Sequence, residues 1–151
     1  MSSASAASLA LGAKNDAAGA RKAADESLAI ARRLAAADPG QVTRQRDLSV
    51  ALEREGDVAQ AAGDAAAAGA AYAENLALRR RLVAAAPSDA MLQRDLAVAL
   101  WREAGVPNSG VGWADVAGQL AAMDRQGILS ASDRASYAEA QRRAAATQGH
   151  P

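Results

Sequence analysis

The residues ESLAIARRLAAADPGQVTRQRDLSVAL, Glu26–Leu52, recur without a gap as ENLALRRRLVAAAPSDAMLQRDLAVAL, Glu74–Leu100, an offset of 48 residues with roughly 16 of 27 positions identical. A repeat of this length is one supersecondary unit that cannot bury its own apolar face. It must stack on a neighbour, and the product of such stacking is a solenoid that presents a surface to a partner. The repeat thus speaks for binding and leaves the ligand open.

Strand-type alternation is absent, and Ala, Leu, Arg, Glu and Gln dominate between the Gly and Pro punctuation. The fold class expected is all-α. Half the residues are apolar, yet there is no Phe and there are only two Trp and two Tyr. Such a core is thin, made of closely approaching helices with Ala and Gly at facing positions, and a large ligand pocket is not expected. Seventeen basic residues balance seventeen acidic ones, so the electrostatic footprint of a nucleic-acid binder is missing. The Arg79–Arg81 run reads as a solvated helix face.

Punctuation places the helices. Asp16 and Asp64 stand as N-caps one repeat apart, opening Asp16–Ala37 and Asp64–Ala86, and Pro39 and Pro87 close them. The next helices begin near Arg44 and Met91. Within the complete unit, about Gln45–Ala62, the residues Leu48, Ala51, Leu52, Gly56 and Ala59 form one buried stripe. Gly63–Asp64 makes the tight turn, and Ala68, Ala71, Tyr72, Leu76, Leu82 and Val83 mark the inner face of the second helix. Gly56 costs roughly 1 kcal/mol against Ala in mid-helix, which points to a partner helix too close for a methyl group. Asp47 and Asp95 of the twice-repeated QRDL read as first-turn acids favoured by the helix dipole.

Gly56, Gly63–Asp64, Ala68 and Tyr72 reproduce the small/turn/small/aromatic spacing of a tetratricopeptide repeat (TPR), and Asp47–Pro87 resembles the long-period bacterial variety of that family. Ala59, Asn75 and Glu55 depart from the consensus. The resemblance implies an antiparallel helix-pair solenoid in one domain over residues 1–151: a partial repeat at 1–40, a complete one at 41–88, and a degenerate repeat with C-terminal capping helices at 89–151. Upstream, the first helix is reduced to the Ser/Ala-rich Ser2–Gly12, with Ser8 where Gly56 would recur. Downstream, Gly105–Pro107 ends a helix early, and a helix from Trp113 stays in register through Val116, Leu120 and Met123. Gly127 stops it, and a capping box at Ser130–Asp133 starts a last helix that reaches about Ala146.

The implied function is a non-catalytic scaffold that holds a peptide or partner helix on its concave face. Carried onto this chain, that face comprises Val50, Glu53, Asp57 and Gln60 of the complete unit and Val98 and Trp101 of the next. Its acids suit a partner with a basic residue beside an apolar anchor, and Trp101 reads equally well as a core residue closing onto the cap. Two alternatives stand beside this: a terminal segment of a longer array with a separate effector domain, and a homo-oligomerisation module, here a weak homodimer through the Leu28, Ile30 and Leu34 helix. No catalytic residue, cofactor or metal site is expected. Glu53 and Asp57, one turn apart, have no His, Cys or phosphate loop beside them, there is no cysteine, and the lone His150 is next to the last residue. No run approaches the roughly 18 apolar residues of a membrane span, so a cytoplasmic protein is expected.

Overall fold

The computed structural model describes residues 3–149, with side chains from residue 12 onward. His150 and the start of the N-terminal segment lie outside the described residues. The backbone is all-helical, with no strand among the described residues: α1 Ser3–Ala37, α2 Val42–Ala61, α3 Ala65–Ala85, α4 Ala90–Ala104, α5 Trp113–Arg125 and α6 Ala131–Gln148. Two compact units divide within α3, the first ending at Asn75 and the second beginning at Leu76.

Local chemistry sets the helix ends. At the end of α2, Gly63 has φ +77°, its N–H bonds the Gln60 carbonyl at 3.0 Å, and the Asp64 N–H bonds the Ala59 carbonyl at 2.9 Å. This is a Schellman closure, and Asp64 then accepts from the Ala67 N–H at 3.0 Å to start α3. The same closure ends α5, where Gly127 has φ +71° and Gly127 and Ile128 bond the Asp124 and Met123 carbonyls. Asp89 caps α4 through the N–H groups of Met91 and Leu92, and Ser130 with Asp133 forms the capping box of α6.

Three expectations are corrected. No turn separates Gly12 from Asp16: α1 runs unbroken through both. The position one repeat before Gly63 is Asn15, so the residue that takes the left-handed conformation without penalty is missing, and Ala-rich flanks carry the helix through. Asp47 and Asp95 are not first-turn acids, because α2 and α4 start earlier, at Val42 and Ala90. Arg79 is not solvated: it is 6% exposed, and its Nη1 donates to the Asp95 carbonyl at 2.6 Å, while Arg80 and Arg81 are exposed.

The cores of the two units differ in kind. In the first, α1, α2 and the start of α3 bury Ala24, Ala31, Ala35, Ala51, Ala59 and Ala68 around Leu52, among the described residues the one fully buried large side chain of this unit. Alanine at facing positions allows helices to approach closely. Gly56 goes further: a Cβ at this position would lie 2.7 Å from Tyr72 Cδ1 and 2.8 Å from its Cζ, closer than carbon atoms approach. The Tyr72 ring occupies the space a side chain would need. The second unit has a conventional aliphatic core of Leu76, Leu96, Leu100, Val116, Leu120 and Met123, with the α5 stripe in the expected register.

The repeat also recurs in polar contacts. Gln45 Nε2 donates to the Pro39 carbonyl at 3.3 Å and Gln93 Nε2 to the Pro87 carbonyl at 2.7 Å, one repeat apart. Each amide ties the start of its helix to the loop before it, satisfying a carbonyl that the proline turn leaves without a helical partner. The glutamines of QRDL make this contact in both units.

Candidate functional site

Each unit has an open cleft beside the outward face of one helix, and the residues in the two clefts correspond through the repeat. In the first unit, α1 contributes Ile30, Ala31 and Leu34, and α2 contributes Asp47, Val50 and Arg54, to a cleft of about 380 Å³. In the second, α4 contributes Arg94, Ala97, Val98, Trp101 and Arg102, over a floor of Leu120 and Met123 with Asp133 and Ser136 of α6 at the edge, to a cleft of about 230 Å³. Val50 and Arg54 recur as Val98 and Arg102.

Among the described residues, four of the six large apolar side chains that are exposed line these clefts. Ile30, Leu34, Val50 and Val98 are each between 45 and 48% exposed, and Met91, 56% exposed, stands two turns before Val98 on α4. A helix whose opposite face already buries Leu92, Leu96 and Leu100 gains nothing for folding from a second apolar stripe. Clustered exposure of this kind marks an interaction surface.

The six residues that sequence reasoning assigned to the site fall into three groups. Val50, Val98 and Trp101 line the clefts. Asp57 and Gln60 are turned to the Tyr72 hydroxyl, which lies 2.6 Å from Asp57 Oδ1 and 3.1 Å from Gln60 Oε1; both help hold α3 on α2, and Asp57 also borders a separate hollow against Ala20 and Ala24 of α1. Glu53 is half-buried on α2 and lines neither cleft. The acidic floor is therefore committed in part to packing.

Trp101 belongs both to the cleft and to the packing of α4 on the C-terminal helices. Its ring meets Trp113 edge to face at 5.0 Å between centroids, and the Arg143 guanidinium lies over Trp113 at 4.4 Å and over Trp101 at 5.9 Å. Glu139 fixes Arg143 through a 2.6 Å contact and Arg142 through a 3.1 Å one. With two guanidinium groups on it, the Glu139 carboxyl titrates below the usual carboxylate range. One face of Trp101 is thereby locked while another stays open to the cleft.

Charged residues that sequence reasoning missed surround these features. Arg94 Nη2 lies 3.1 Å from Asp133 Oδ1, and Asp133 Oδ2 accepts from Ser130 in the α6 capping box. Glu55 and Glu103, one repeat apart, are both buried. Glu55 pairs with Arg21 at 3.3 Å, but its Oε2 has no hydrogen-bond partner. Burial pushes the Glu103 carboxyl up to about 7, against the pull of Arg80. The signal for these glutamates was available: an acid repeated on the apolar side of both helices.

The arrangement offers apolar sockets with arginine edges. Among the described residues, no group of three or more His, Cys, Asp or Glu side chains is placed to hold a metal ion, and no helix is long and apolar enough to cross a membrane. No protein-family model, curated protein or solved structure matches this chain.

Proposed function

We propose that the chain is a tetratricopeptide-type scaffold with C-terminal capping helices, and that it binds a protein partner through its clefts without catalysing a reaction. The observation that carries this reading is the recurrence of Val50 and Arg54 as Val98 and Arg102, each pair in an open apolar cleft, on helices that bury their other face. The Gly56–Tyr72 contact and the Schellman turn at Gly63 support the family resemblance. A glutamate at either valine puts a charge into the socket, where desolvation opposes binding of an apolar anchor. Val50→Glu with Val98→Glu should reduce recovery of a specific partner from source-cell lysate at least tenfold, with the helical circular dichroism unchanged. Equal recovery by the double variant would move the site off these clefts.

A second reading, self-association, is favoured by the exposure of Ile30 and Leu34. The two side chains are 48% and 46% exposed on α1, and Leu28 beside them is half-buried. Leu28→Gln with Leu34→Gln should then convert a concentration-dependent dimer into a monomer in sedimentation equilibrium. A parent protein that sediments as a monomer up to millimolar concentration excludes this reading.

A further inference from the structure

Resting on the scaffold reading above, we infer that the cleft beside α4 takes an acidic peptide: an aliphatic side chain in the socket and an Asp or Glu carboxylate on Arg94. The socket fixes the first half of this statement. Val98 and Trp101 form one wall and Leu120 and Met123 the floor, and, the Trp101 indole N–H aside, this lining is apolar and disfavours a polar side chain. About 230 Å³ gives room for one or two aliphatic side chains.

Arg94 fixes the second half. Its side chain is 53% exposed, and one terminal nitrogen is anchored to Asp133, whose other oxygen is held in the α6 capping box. The guanidinium is thus oriented before a ligand arrives, with Nε and Nη1 still available as donors. A planar fork held this way matches a carboxylate and loses little side-chain entropy on binding it. A basic peptide would place its charge beside this guanidinium, the reverse of the preference expected from Glu53 and Asp57.

The chain's two tryptophans, Trp101 and Trp113, are in contact beside this cleft, so intrinsic fluorescence reports its occupancy without a label. Three blocked heptapeptides serve as probes, each with two adjacent leucines flanked by glutamates, glutamines or lysines. The glutamate peptide should shift the emission and bind at least tenfold tighter than the glutamine peptide, with the lysine peptide weakest. The preference should shrink as salt is raised from 50 to 500 mM, roughly as screening of a rim charge requires. Arg94→Gln should bring the glutamate peptide to the affinity of the glutamine one, while Arg94→Lys keeps part of the difference. If the glutamine peptide binds as tightly as the glutamate peptide, or the lysine peptide binds best, the acidic preference is overturned and the apolar socket stands. If none of the three perturbs the fluorescence at millimolar concentration while the protein remains helical, the socket itself is not a binding site, and both readings fall.

Discussion

Gly56→Ala is expected to destabilise the first unit even though alanine is the better helix former. In an exposed helix the exchange would gain roughly 1 kcal/mol. Here the new methyl would fall on the Tyr72 ring, with Cδ1 at 2.7 Å, so α2 and α3 must separate or the ring must leave its position. Overpacking of this sort costs about 1–3 kcal/mol, and Gly56→Leu more. Tyr72→Ala should cost on the order of 3 kcal/mol, a drop of roughly 6–12 °C in Tm, because it removes the ring and the hydroxyl that Asp57 and Gln60 share. The combination is the sharper test. With Tyr72 truncated, the space beside Gly56 is open, and Gly56→Ala should turn from destabilising to neutral or stabilising, giving a coupling of opposite sign to either single effect. Additive melts for the two substitutions would show that Gly56 and Tyr72 do not meet, and would remove the strongest support for the tetratricopeptide reading.

How much of this was legible in the sequence depends on how local each cause is. The ends of α2 and α5, the capping box at Ser130 and the stop at Gly105 could be read because each is written in two or three adjacent residues whose backbone preferences are strong. The continuity of α1 was misread for an instructive reason. Register carried Asp64 back to Asp16, but the turn needs Gly63, and its counterpart is Asn15. Repetition of a cap without repetition of its glycine is not repetition of a turn.

Buried polar groups were the larger gap. Apolar periodicity identifies a face by its Leu and Ala residues and passes over a Gln or Glu that lies among them. Gln45 and Gln93, Glu55 and Glu103, and Arg79 all sit on faces that bury leucines. Their recurrence at the repeat interval was visible for the first four, while the partners, carbonyls of Pro39 and Pro87 or the guanidinium of Arg21, are set by tertiary packing. The candidate site divides along the same line. Val50, Val98 and Trp101 followed from carrying the concave face that the resemblance implies onto this chain. Asp57 and Gln60 could be separated from them only by knowing how far the Tyr72 hydroxyl reaches.

Glu103 carries the largest pH effect expected of this protein. Its carboxyl is raised from 4.5 to about 7, chiefly by burial, with Arg80 opposing the rise. The native state therefore holds this proton more tightly than the unfolded chain does. Between pH 4.5 and 7 the folded form binds more protons, and the derivative of unfolding free energy with pH is negative. The contribution is fully present below about pH 4.5, declines as pH rises towards 7, and is lost above it. At about 1.4 kcal/mol per unit, the loss over that window is at most about 3 kcal/mol, a large share of a small domain's stability. Glu103→Gln keeps the shape and removes the titration. Urea unfolding should show the variant close to the parent at pH 4.5 and more stable by about 2 kcal/mol at pH 8, with a flatter profile between. Arg80→Ala should move the other way, because it removes the charge that favours the ionised form. A parent whose stability is level from pH 4.5 to 8, or a Glu103→Gln profile parallel to it, would mean that water or a rearranged side chain reaches this carboxylate in solution.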